Sequence, residues 1–247
     1  MNDLGDIYLS DFGCPLPSQA VFRWAAAQDW DRKASDEEEV FIQKAVLKRQ
    51  REFRAGRNTA RCCFDILEVG GSPKLQADSV GVGESREPLW PDSVVGSITH
   101  TQFECHDSHS AQEYCGVVVS ATRDIRSIGI DIERVEHLSP DSLDLVVTPS
   151  EWRRAKENCW PTYWPKYLFA AKESFYKCFY PLTGVYLDFL EAEFHLTAIQ
   201  SMPGVYQVEV VSVSSDHSLF AEDTLKRAKG FVSGDKSLIR AAFWLGA

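Results

Sequence analysis

The chain lacks a long apolar run, a paired-cysteine motif and any surplus of positive charge, and each absence closes off a class of function. Its hydrophobic stretches are short and interrupted, well under the ~20 residues of a membrane span, and the opening MNDLGDIYLSDFG has neither a basic nor an apolar signal region. A cytoplasmic protein without a membrane span is expected. Seven cysteines (Cys14, Cys62, Cys63, Cys105, Cys115, Cys159, Cys178) are odd in number and scattered without a CxxC, which fits a reducing compartment rather than a disulfide framework. The local set Cys105, His106, His109 and Cys115 does not follow zinc-finger spacing. No G-x-S-x-G elbow occurs, so the sequence carries no serine-hydrolase signature. A formal charge of -10 argues against general nucleic-acid binding, which needs a basic footprint.

What is present is an ordinary globular composition. At 247 residues and 44% hydrophobic content, the chain can form one large domain or two half-size ones. Ser35 followed by Asp36, Glu37 and Glu38 reads as a capping box, so a helix is expected from residue 36 to Ala55, with Gly56 allowing a break or a close approach. A second helical stretch follows to Leu67, and the Gly-, Ser- and Pro-rich segment 72–91 reads as loop with one short strand. Strands are expected at 94–99, 114–121 and 128–133, with a polar loop at 101–113. Thr148 caps a helix with Pro149 and Glu151 in its first turn, and a longer helix spans about 163–180. Strands are expected again at 186–196, 205–212 and 239–244. The order helix, strands, helix, strands divides the chain near residue 135.

The chemistry concentrates in a few strings. In GIDIE, Asp131 and Glu133 are two apart, so on a strand they share one face while Ile128, Ile130 and Ile132 fill the other. In KESFYK, Glu173 and Lys177 are four apart and share a helix face. Three carboxylates beside an ammonium suit Mg²⁺ with a phosphate co-ligand, although a solvent-facing strand edge and a surface salt bridge would also place these residues so. From Lys44 to Arg61, seven basic residues face a single acid, Glu52, either as a site for a compact polyanion or as a solvated helix face. The string VVGSITH places His100 after small and hydroxyl residues that let a backbone approach an oxyanion.

Taken together, these strings resemble the 4'-phosphopantetheinyl transferases, in which GIDIE and W-x3-KES-x2-K form the signature pair. The match runs from about residue 44 to 181. The family's tryptophan position is filled by Lys166, Tyr167 or Leu168, with Trp164 nearby. KRQREFRAGRNTAR and REPLWPDSVVGSITH point to the branch containing the enterobactin-synthase D component, while the loop at 101–113 is longer than that pattern. The resemblance implies an α+β fold built as a pseudo-dimer of two similar halves, 1–135 and 136–247, with the active site in the cleft between them. It implies an enzyme of the holo-[acyl-carrier-protein] synthase type, which moves the phosphopantetheine arm of coenzyme A onto a serine of an apo carrier protein and releases 3',5'-ADP. Fatty-acid, polyketide and nonribosomal-peptide carriers are all eligible partners, and a monomer is expected.

By the same resemblance, Asp131, Glu133 and Glu173 would hold Mg²⁺, and Glu173, Lys177 and His100 would be catalytic. Glu173 would be a general base, a ligand or both, with a metal-bound hydroxide as the other candidate base. Thr99, His100, Lys177 and Arg86 would meet coenzyme A, and Arg49, Arg54, Arg57 and Arg61 are candidates for its 3'-phosphate. Lys172 would orient Glu173 or meet phosphate. The competing readings are a non-catalytic binder of coenzyme A or carrier protein, and another Mg²⁺-dependent nucleotide transferase or hydrolase.

Overall fold

A computed structural model describes residues 7–67, 79–104, 111–214 and 227–247. The zinc-like residues Cys105, His106 and His109 lie outside that set, as does most of the glycine-rich stretch after Leu67. The described part is a mixed α+β protein. The chain begins with β1 (Ile7–Leu9) and β2 (Pro15–Pro17), which pair with each other, and β3 (Val21–Trp24). Next come α1 (Asp36–Glu39), α2 (Leu47–Phe64), and the small ribbon of β4 (Gly81–Val82) and β5 (Pro88–Leu89). Then follow β6 (Val94–Glu104), β7 (Ala111–Ala121), β8 (Ile125–Arg134), α3 (Pro140–Val146), α4 (Pro149–Glu157) and α5 (Trp164–Thr183). The last strands are β9 (Ala192–Ala198), β10 (Val205–Val213), β11 (Lys229–Gly234) and β12 (Leu238–Gly246).

Two antiparallel sheets dominate, one of order β3-β7-β6 and one of order β8-β12-β11-β10-β9. Helix α2 packs on the first and α5 on the second. Strand β8 therefore belongs to the second sheet, so the sheets divide before Ile125, ahead of the boundary expected near residue 135. The edge of β8 that faces β6 has no backbone ladder. Instead, Ser97 Oγ and Thr99 Oγ1 accept the N–H groups of Ile130 and Ile132 at 3.1 and 3.0 Å, which satisfies buried donors and seals one sheet against the other.

The helix expected from residue 36 to Ala55 is broken: it forms as the four-residue α1 and a 3₁₀ turn at Val40–Ile42, and resumes as α2 only at Leu47. Its capping box is present: Ser35 Oγ accepts from Glu38 N, and Glu38 Oε2 accepts from Ser35 N. Glu38 is buried and also accepts from Val80 N and Arg61, which pins this turn to α2. Beyond it Val40, Phe41, Val46 and Leu47 are all exposed, so no continuous apolar face exists to hold a longer helix. Gly56 lies inside α2 rather than at a break. A Cβ there would stand 2.9 Å from Ile98 Cγ2, so the glycine serves close helix–sheet packing.

Three further expectations change. Of the polar loop expected at 101–113, residues 101–104 and 111–113 extend the β6–β7 hairpin. The strand expected from 186 begins only at Ala192, because Asp188 and Glu191 close a capping box around a 3₁₀ turn. Strands β1 to β3 and β11 have no counterpart among the expected elements. β11 contains two glycines, and Gly230 sits under the Phe243 ring where a side chain would collide.

The second core is aromatic, with Phe175 packed at 5.5 Å from Phe194 and 5.3 Å from Phe243. The described cysteines are free. Burial pushes the Cys14, Cys63, Cys115 and Cys178 thiols up to about 12, so they are inert core residues.

Candidate active site

Strand β8 turns Ser127, Gly129, Asp131 and Glu133 toward α5. Ser127 Oγ donates to the Cys178 carbonyl at 2.7 Å. A Cβ on Gly129 would reach Ser174 O and Cys178 N at 2.0 and 2.6 Å, so only glycine lets the helix backbone lie this close. On α5, Lys166, Glu173 and Lys177 are seven and four residues apart, which puts them on one stripe over that face of the strand. The GIDIE glycine and the KES spacing thus serve one purpose. They bring two strand carboxylates under a Lys-Glu-Lys row.

Lys177 Nζ donates to Asp131 Oδ1 at 2.6 Å and to the Ile130 carbonyl at 3.2 Å. Burial opposes its charge, but Asp131 and Glu173 outweigh burial and hold its pKa above the ordinary lysine value. Asp131 also accepts from Thr99 Oγ1 at 3.3 Å, while its second oxygen, Oδ2, is buried without a hydrogen-bond partner. Glu133 is paired with Lys166 at 2.7 Å, and burial followed by the nearby Asp131 raises its pKa. Burial also raises that of Glu173, which has no hydrogen-bond or ion-pair partner among the described residues.

Glu173 and Lys177 open onto a cleft of about 700 Å³ whose walls come from α2, the β4–β5 ribbon, β6 and α5. Arg49, Arg57, Arg86 and His100 line it as well. The His100 side chain is 35% exposed, and the partial burial of its ring holds its pKa below the ordinary histidine value. Its Nε2 lies 3.2 Å from Arg49 Nη1, the geometry of a neutral imidazole accepting from a guanidinium. Arg57 is buried, stacks over Phe53 at 4.4 Å and donates to the carbonyls of Val80 and Gly81. Burial pushes its pKa down to about 10. Arg86 holds φ 67, a left-handed conformation that costs a non-glycine residue roughly 1–3 kcal/mol and that closes the tight β4–β5 turn, where its N–H donates to the Gly83 carbonyl at 3.0 Å.

Four of the expected ligand residues are engaged within the protein instead. Arg54 is held by both Glu39 oxygens at 2.8 and 2.7 Å, and Arg61 by Glu38 at 2.7 Å. The two arginines are seven apart and share the stripe of α2 that faces α1, away from the cleft. Thr99 directs its hydroxyl at Asp131 and Ile132 N, and so positions the carboxylate instead of meeting a cleft ligand. Lys172 is buried, about 100° around α5 from Glu173. Its Nζ donates to Val146 O, Glu151 Oε2 and Phe189 O at 2.7, 2.9 and 2.8 Å, and this leaves no proton for phosphate. Its partner Glu151 carries only a helix-start signal in the sequence. Lys166 stands out there only at the tryptophan position, and nothing local marks it as the partner of Glu133.

The cleft thus carries four cationic side chains and three glutamates and ends at an acid–lysine cluster on a strand and a helix. The 4'-phosphopantetheinyl transferase N-terminal domain matches residues 37–106, and the 4'-phosphopantetheinyl transferase superfamily matches residues 127–218. The chain belongs to this superfamily and is a transferase enzyme.

Among its relatives, the 4'-phosphopantetheinyl transferase PptT of Mycobacterium tuberculosis is 33% identical over 85% of this chain and 85% of its own. Svp of Streptomyces mobaraensis, also a 4'-phosphopantetheinyl transferase, is 38% identical over 72% of this chain and 68% of its own. Enterobactin synthase component D of Salmonella typhimurium is 30% identical over 56% of this chain and 51% of its own, a shorter match than the other two.

Proposed function

We propose that this enzyme transfers the phosphopantetheine arm of coenzyme A to a serine of an apo acyl or peptidyl carrier protein in the cytoplasm, releasing 3',5'-ADP. The two sheets with their helices would act as a pseudo-dimer with the reaction in the cleft between them. The observation that carries this reading is the convergence of Arg49, Arg57, Arg86, His100 and Lys177 on one cleft, against Glu52, Glu87 and Glu173, in a chain whose net charge is -10. Such a cleft suits a ligand with several phosphates at one end and a reacting centre at the other.

The donor set fits Mg²⁺: all three candidate ligands are hard carboxylates, and Asp131 Oδ2 is a buried oxygen without a partner. Among the described residues, however, no three acidic, histidine or cysteine side chains form a ready metal cage, and lysines pair with Asp131 and Glu133. Asp131, Glu133 and Glu173 would hold the ion once those lysines turn away. When bound, it neutralises charge on the diphosphate oxygens.

The rest of the chemistry falls to the chain. Arg49, Arg57 and Arg86 bind and orient the polyanion. Lys177, already charged, moves from Asp131 to the oxygens on which charge develops, with His100 as a neutral hydrogen-bonding neighbour. Glu173 accepts the serine proton at a carboxylate oxygen as the hydroxyl attacks the β-phosphorus. In the metal-free site, burial raises its pKa, which favours proton acceptance there.

Incubation with coenzyme A, Mg²⁺ and an apo-carrier domain is expected to add the mass of the arm to the carrier. An unmodified carrier with cleaved coenzyme A would instead identify a hydrolase, and an unmodified carrier with intact coenzyme A a binder. The cleft also separates the arginines. Arg49→Ala is expected to raise the KM for coenzyme A about tenfold, whereas Arg61→Gln leaves it within about twofold, since Arg61 pairs with Glu38. Equal effects on KM from steady-state kinetics would refute this division.

A further inference from the structure

The Lys166–Glu133 pair bears on how the metal site is loaded, an inference that rests on the phosphopantetheinyl transfer reading. Lys166 is buried, its ammonium 2.7 Å from Glu133 and 3.8 Å from Glu136, and 4.9 Å above the Phe169 ring. These contacts fix it over β8 as a part of the fold and distinguish it from a freely moving surface lysine. Together with Lys177 on Asp131, it gives each strand carboxylate its own cation from α5. With Glu136 counted, four carboxylates and two ammoniums leave the cluster two negative charges, but each strand carboxylate is already held by a lysine. A divalent ion added to the free enzyme must therefore displace a lysine to coordinate either Asp131 or Glu133. A diphosphate arriving with the ion gives Lys177 a new partner.

We propose that Lys166 is the resident counter-ion of the metal site, holding Glu133 out of coordination so that the divalent ion loads together with the diphosphate of coenzyme A rather than ahead of it. Lys166 is a positioning residue in this scheme, acting through Glu133. Removing its charge opens the site to metal in the free enzyme. Because Glu133 is 23% exposed, it can rehydrate in such a variant, and the fold is retained.

Mn²⁺ binding, followed by isothermal titration calorimetry and by the electron paramagnetic resonance signal of the free ion, tests this without any turnover. The wild-type enzyme is expected to bind Mn²⁺ at least about tenfold more weakly without coenzyme A than with it. Lys166→Met, and Lys166→Gln as a second variant, are expected to bind Mn²⁺ without coenzyme A about tenfold more tightly than wild type. Equal affinity of wild type and both variants in the absence of coenzyme A would overturn the role of Lys166. So would a wild-type affinity indifferent to coenzyme A. Asp131→Asn separates this failure from failure of the underlying reading: if coenzyme A-dependent Mn²⁺ binding survives in that variant, the metal assignment itself is wrong and the inference falls with it.

Discussion

Replacing Asp131 with asparagine is expected to lower carrier modification by about 100- to 1000-fold while leaving the fold intact. The side chain is buried and accepts from Lys177 at 2.6 Å and Thr99 at 3.3 Å, and an asparagine carbonyl can keep both bonds. What is lost is the charge. Without it Lys177 loses the anion it is bonded to, and a divalent ion would lose a ligand at Oδ2, the Asp131 oxygen that is buried without a partner. Alanine would be a poorer test, because it would also strand the Lys177 ammonium beside an empty space. Mass spectrometry of the carrier at saturating Mg²⁺ and coenzyme A measures the effect, with circular dichroism confirming the fold. Near-normal rates would rule out Asp131 as the centre of the site.

The largest expected effect on stability lies on the other side of the same helix. Lys172→Met is expected to destabilise the protein by about 3–5 kcal/mol, since it removes one partner of a buried ion pair and leaves the other charged and unsolvated. Glu151 is fully buried. Its Oε1 accepts from Phe194 N at 2.9 Å, and its Oε2 accepts from Thr148 N and Lys172 at the same distance. Lys172 in turn bonds the carbonyls of Val146 and Phe189. One pair thus ties α3, the first turn of α4, the 3₁₀ turn before β9 and β9 itself to α5. Burial presses the Lys172 pKa below the ordinary lysine value, with Glu151 opposing, so the charge depends on this partner. At this chain length the loss corresponds to a fall in Tm on the order of 10 °C by thermal denaturation. A shift within about 3 °C would show that the pair is not a structural anchor. Adding Glu151→Leu should restore only part of the loss, because Thr148 N and Phe194 N would lose their acceptor.

The two predictions also divide the KES motif by function. Lys172 and Glu173 are adjacent on the helix, about 100° apart, so anchoring the first in the core turns the second toward the cleft. From sequence, Lys172 could either orient Glu173 or meet phosphate. Its three satisfied donors support the first role.

Much of the site could be read from local pattern because local geometry generates it. Alternation on a strand put Asp131 and Glu133 on one face, i and i+4 spacing put Glu173 beside Lys177, and capping boxes marked Ser35 and Thr148 correctly as helix starts. The extent of α1, by contrast, depended on whether Val40, Phe41 and Val46 found a surface to cover, and they did not. The arginines were equally illegible: a helix presents residues all around its axis, and only the location of Glu38 and Glu39 shows which face is already neutralised.

The sequence by itself determined the family, the order of elements around GIDIE and KESFYK, and the residue types available for phosphate chemistry, since these follow from spacing of a few residues. Only the tertiary structure decided which charges are spent on one another. Lys166 with Glu133, Lys172 with Glu151 and Arg61 with Glu38 are ion pairs between residues more than twenty apart in the chain. A charge's use depends on the nearest opposite charge in space and on how much water separates them, and the linear order of residues specifies neither.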